Sequence, residues 1–407
     1  MKALISSVVV ASCLAGLRPL ASAAEEAPGG KSLEGTALAR TAAAARATPG
    51  KMVRFPEGDL PASITRNIPN RGWGEWQDRF FYSDVTGTAQ TIAKGVNGEP
   101  MSHAEFVPTA DGGKGAWAQI GPKDLIAPKG DPTDPDDLIM PGGSELGHPF
   151  DTHCLDVSTG DYYFGNYGKQ LAYRCTYAER TSKPWAFTTK DSGSTAGHWL
   201  YYGGLAFHPN LFGPNDGGLV ASSAGALFAW RKSTNTWAWP LKPAGDPNKS
   251  AIAGGQQLYC AGLNAVYCGG KDKAFQKVVP GDPPTVKGAG SVPDGTDGKP
   301  LVISGGNSYG AVRGSLLDDP NKKTLYLFQR SGRTAKSPHI WKFAPEAEGT
   351  PEQWIDLGEH PFNSGPGGEP DMPFITATAY GQGVFWVMCG TGSSGQKMNS
   401  YLYCPPK

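Results

Sequence analysis

The chain has 407 residues with 37 basic and 37 acidic side chains, so its formal net charge is zero. Neutrality excludes the electrostatic footprint of a nucleic-acid binder. With 56 Gly and 35 Pro there is little room for long helices, while 39 % hydrophobic residues and 11 Trp exclude a disordered chain. A loop-rich, all-β globular protein remains.

Residues 1–23 read as a secretory signal peptide: Lys2 at the start, an apolar run over 3–17, and an A-x-A type site at Ala21 and Ala23. A second reading takes Val10, Ala11, Ser12 and Cys13 as a lipobox, with Cys13 the lipid anchor of a lipoprotein. Both readings export the chain, to the periplasm or outside the cell, and the apolar run is too short for a transmembrane segment. Residues 24–50 are rich in Ala, Gly and Thr and are expected to form a flexible lead-in or a frayed helix. Residues 51–407 are expected to form one domain.

Apart from Cys13 there are six cysteines, an even number that suits disulfides in an oxidising compartment. Cys260 and Cys268 flank a short turn between two expected strands, and Cys389 and Cys404 flank a Gly/Ser-rich turn, so each pair is expected to form a hairpin bridge. Cys154 and Cys175 pair by elimination, although an intervening strand would hold them roughly 10 Å apart. The alternative for all six is a set of buried thiols.

From residue 72 onward a unit recurs: an alternating strand, a short turn, a strand ending in Gly, a third strand, a polar turn and then Trp. Trp117, Trp185 and Trp237 close successive copies, and Trp354 follows after roughly two more. A shorter copy around 258–268, with Phe275 in the Trp place, fills the double gap. A period of roughly 50 to 60 residues with several strands per copy is the signature of a β-propeller. Six blades are counted, with seven as the alternative. The final copy, 374–403, has three strands, and residues 52–55 are expected to supply its fourth from the N-terminal side, removing an unpaired edge.

The Asn235 turn before Trp237, and Gly pairs such as Gly269–Gly270 and Gly305–Gly306, resemble kelch repeats, and the chain is similar to the propeller domain of the galactose-oxidase superfamily. That resemblance implies a fold. Kelch propellers include enzymes, glycan binders and scaffolds. The paired His copper ligands and the cross-linked Tyr and Cys of the copper oxidases are not recognised, so oxidase chemistry is not carried over.

Propeller ligands usually bind where the loops entering the innermost strands converge. That rule selects Trp73, His148, His153, His198, Trp199, Tyr201, Gln257, Tyr309, Arg313 and Asp371. Aromatic faces stack on sugar rings and amides or carboxylates bond hydroxyls, so a polysaccharide or other glycan is the expected partner. Trp and Tyr at blade ends also serve simply to pack blades together. In its sharpest form this reading is a lyase: Arg313 holds a uronate carboxylate, and His153, His198 or Tyr309 act as base and acid. Glu75, Glu369 and Asp371 are the carboxylates open to hydrolysis. Asp131, Asp134 and Asp136 lie in a Pro-rich loop and form a calcium candidate; an ordinary solvated loop explains them too. No cofactor is required. The alternative function is a scaffold that binds protein partners on the propeller rim.

Overall fold

The computed structural model describes residues 33–65, 79–93, 101–125, 153–165, 172–182, 186–187, 204–223, 226–238, 241, 257–268, 274–291, 294, 314–319, 323–329, 339–345, 352–359, 361, 374–381, 383–390 and 397–406. Helix α1 (Ala37–Ala47) precedes strand β1 (Met52–Arg54). Blade 1 comprises β2 (Phe80–Ser83), β3 (Thr88–Ala93), β4 (Met101–Val107) and β5 (Ala116–Leu125). Blade 2 comprises β6 (His153–Leu155), β7 (Tyr162–Gly165), β8 (Ala172–Cys175) and β9 (Ala186–Phe187). Blade 3 follows with β10 (Leu205–His208), β11 (Gly218–Ser223), β12 (Ala226–Arg231) and β13 (Thr236–Ala238). Blade 4 has β14 (Gln257–Cys260), β15 (Ala265–Cys268), β16 (Ala274–Val279) and β17 (Thr285–Ser291). Blade 5 has β18 (Gly314–Asp319), β19 (Thr324–Gln329), β20 (His339–Ala344) and β21 (Gln353–Glu359), and blade 6 has β22 (Phe374–Gly381), β23 (Val384–Gly390) and β24 (Asn399–Tyr403).

Six antiparallel four-stranded sheets result, and the innermost strands β2, β6, β10, β14, β18 and β22 touch in cyclic order. The protein is therefore a six-bladed β-propeller. β1 pairs with β24 through Met52 with Tyr403 and Arg54 with Tyr401, so the expected N-terminal strand completes blade 6.

Each blade buries both faces against its neighbours, and aromatic rings fill the seams. Tyr163 of blade 2 stacks on Phe207 of blade 3, with centroids 4.9 Å apart. Phe385 of blade 6 meets Tyr326 and Phe328 of blade 5 edge to face. Such ring pairs add to the area they bury. At the closure Phe55, Phe80 and Phe106 surround Trp386, and a Cβ on Gly58 would come within 2.9 Å of that indole. Phe275 lies on the third strand of blade 4, β16, and meets Trp354 of blade 5 in a T-shaped contact. Its place is thus a seam between blades and not the outer-strand place held by Trp117, Trp237 and Trp354.

Within the stretch expected to be a flexible lead-in or a frayed helix, the described residues hold α1, which is capped by the Thr36 hydroxyl and buries Leu38, Ala42 and Ala45 against blade 6 and β1. The cysteine pairing is corrected. The three expected disulfides do not form. Cys260 faces Ala265 while Cys268 faces Gln257, an offset of three positions, or roughly 10 Å along the strands. Cys389 faces Asn399 while Tyr403 faces Phe385, which puts Cys404 roughly 17 Å along from Cys389. Cys154 and Cys175 sit on β6 and β8 with β7 between them. A bridge needs Cα atoms within about 7 Å. Cys154, Cys175, Cys260, Cys268 and Cys389 are buried thiols instead, and burial raises the pKa of each.

Candidate functional site

The innermost strands enclose a central cavity of about 270 Å³ with walls from every blade. Its middle is apolar, built by Leu155, Ala206, Phe207, Leu258, Leu316 and Ala377. Polar groups gather at its two ends because the innermost strands all start at one end of the ring and finish at the other.

At the leading end stand Arg79, just before β2, and Gln257, the first residue of β14. Both are buried. Arg79 Nη1 donates to the Gln257 carbonyl oxygen at 3.2 Å, and the Arg79 guanidinium lies 4.8 Å from the Phe81 ring centroid. At the trailing end stand Asp84, Val157, Ala261, Asp318 and Gly381. Asp318 accepts the Cys260 Sγ–H at 2.8 Å and the Ala261 N–H at 3.1 Å. Burial, aided by the like charge of Asp319, pushes its carboxyl up to about 7 against the bonds from Cys260 and Ala261. Desolvation also raises Asp84, whose carboxylate lies beside Gly381. Tyr259 lines the same cavity, and its ring lies 4.5 Å from that of the buried His208.

Of the residues expected at the mouth, Gln257 lies on the cavity wall. His153 does not. It is fully buried in the seam between blades 1 and 2, hydrogen-bonded through Nδ1 to the Tyr162 hydroxyl at 2.5 Å and edge to face with Phe81. The strand alternation explains this: on β6, Cys154 turns to blade 3 while Leu155, like His153, packs toward blade 1. Trp73, His148, His198, Trp199, Tyr201, Tyr309, Arg313 and Asp371 lie outside the described residues, as do the calcium candidates Asp131, Asp134 and Asp136. Among the described residues no three His, Cys, Asp or Glu side chains gather as a metal site. Sequence reasoning missed Arg79, Asp84 and Asp318. No motif marks them; Asp318 reads only as the polar end of a Leu-Leu-Asp-Asp strand.

No family model matches the chain, and no curated protein does. Among solved structures it is similar to a fungal alcohol oxidase of the AA5 family in complex with copper, at 12 % identity and a TM-score of 0.44, over 88 % of this chain and 67 % of that one. It is similar also to the Cps50 (Swd1) β-propeller domain of Myceliophteria thermophila, at 8 % identity and a TM-score of 0.38, over 79 % and 81 %. A third is the extracellular domain of a one-component system protein of Bacteroides thetaiotaomicron, at 11 % identity and a TM-score of 0.37, over 83 % of this chain and 39 % of that one. These likenesses concern the fold alone.

Proposed function

We propose that the protein is an exported propeller that binds a polysaccharide at the leading end of its central channel. The observation that carries this reading is the ring itself: all six innermost strands begin around one axis. In sequence, the segments rich in Trp, Tyr, His and Arg immediately precede those beginnings. The pattern suits sugar recognition, with rings for stacking and Arg313, Asp371 and Gln257 for polar groups. His153 lies buried in the seam between blades 1 and 2, so this reading rests on binding and leaves His198 and Tyr309 as the bases an elimination would use. Export rests on residues 1–23, and no described helix is long and apolar enough to cross a membrane.

Retention on immobilised uronate-containing and neutral polysaccharides tests this. We expect retention by the wild type and its loss in Trp199→Ala and Arg313→Ala, with the thermal midpoint nearly unchanged. An unsaturated product absorbing in the ultraviolet would restore the lyase reading, with His198 or Tyr309 as base. Absence of retention on every polymer would favour a protein-binding scaffold.

A further inference from the structure

The wall of the central cavity is made by strand edges. Both members of the neighbouring pairs Ala206–Phe207 and Leu316–Leu317 line it, although each pair sends its side chains into two different seams. Innermost strands that turn one edge to the axis place both faces within reach of it. Such an edge carries backbone N–H and C=O groups that the blade's own ladder leaves unpaired. Two bonds among lining residues show groups of this kind meeting side chains: the Gln257 carbonyl oxygen accepts Arg79 Nη1 at 3.2 Å, and the Tyr82 N–H donates to Thr378 Oγ1 at 3.0 Å. Along β14 the pattern repeats every second residue, so Tyr259 turns its own N–H and C=O to the edge that Gln257 uses.

Between those edges the side chains are apolar and of unequal size. Blades 3 and 6 stand opposite in the ring of six, and each contributes an alanine, Ala206 and Ala377. Phe207, beside Ala206, leans away to stack on Tyr163 in the seam. The other blades offer larger groups, among them Leu155, Leu258 and Leu316. The space is therefore widest between the two alanine methyls, a slot that suits a flat ring. An apolar cavity of about 150 Å³ already takes benzene. The 270 Å³ here leaves room for a ring with a polar substituent while the charged ends keep their water.

We propose that the middle of the channel binds a small, neutral aromatic molecule carrying a group that both donates and accepts a hydrogen bond, such as a carboxamide. The ring lies between Ala206 and Ala377, and the amide pairs with the Tyr259 backbone at the strand edge. A rigid ring loses less freedom on binding than a flexible chain of similar size. A purely apolar ligand would strip water from that backbone edge and put nothing in its place. The site is separate from the polysaccharide mouth, and neither needs the other.

Calorimetric titration of the full chain with benzamide, toluene and hexanamide tests this. Benzamide should bind saturably at one site, with toluene and hexanamide each about tenfold weaker. Ala377→Leu fills the slot and should weaken benzamide about tenfold or more. In methyl-labelled wild type, nuclear Overhauser effects should run from the benzamide ring protons to the Ala206 and Ala377 methyls. That measurement decides the matter if the leucine variant does not fold. Absence of benzamide binding, contacts to methyls elsewhere alone, or unchanged affinity in a folded Ala377→Leu variant would overturn the site. Toluene or hexanamide binding as tightly as benzamide would overturn the ligand class. None of these outcomes bears on retention by polysaccharides.

Discussion

Asp318 shows how one side chain sets a pH dependence. Its carboxyl titrates near 3.8 in the unfolded chain and at about 7 in the fold, because burial disfavours the charged form. Between those values the folded state holds the extra proton, so this group's contribution to stability falls as pH rises through the window. His103 and His208 act with the opposite sign. Burial lowers them from 6.5 to about 3 and about 4, so the unfolded chain takes up protons first and stability is lost as pH falls below 6.5. Asp318→Asn removes the carboxyl's titration alone. The thermal midpoint of the variant relative to the wild type should climb from about pH 4 to about pH 7 and level off above it. A difference that stays flat across that range would place Asp318 in contact with water.

At the scale of the element, the closure of blade 6 depends on a short strand held by more than its ladder. β1 has three residues, too few to be stable by pairing alone. Asp59, 3 % exposed at its side chain, ties it down: its carboxylate takes Arg54 from β1, Lys397, and the backbone amide of Ser400 on β24. Burial alone would raise the Asp59 pKa, and the bonds from Arg54, Lys397 and Ser400 overturn that and lower it. Asp59→Ala leaves two cations facing a buried space and should cost about 2 kcal/mol or more at neutral pH, less than a fully enclosed pair because Arg54 is partly solvated. The thermal midpoint should drop, and limited proteolysis should cut first near residue 51. Resistance at that point equal to the wild type would show that the ladder suffices.

For the whole molecule, ring closure and seam packing do the work that disulfides do in small exported domains. Every blade is clamped by two neighbours, and blade 6 joins the two ends of the chain. Cysteines in such seams act as small apolar side chains with thiols too shielded to ionise readily. Alkylation in denaturant without any reductant should therefore modify Cys154, Cys175, Cys260, Cys268 and Cys389 completely, whereas the native protein should react slowly. Peptide mapping that recovered Cys260 joined to Cys268 would contradict the register of β14 and β15.

The repeat, the blade count and the closing strand were legible in the sequence, because alternation with period two and the recurring Trp, which Trp117, Trp237 and Trp354 place on the outer strands of blades 1, 3 and 5, are local signals. Residues 52–55 could be assigned to blade 6 because a three-stranded final copy leaves one edge open. The disulfides were misread because a hairpin's register depends on turn length. The four-residue connection from Ala261 to Asn264 pairs Cys260 with Ala265 and so leaves Cys268 three positions further along. The burial of His153 was illegible for a related reason: which face of a strand meets which blade is set by the packing around it. The hydrogen bond from Arg79 to the Gln257 carbonyl joins residues separated by 178 positions. No local pattern records that blades 1 and 4 face one another across an axis; only closure of the ring brings those groups to one channel.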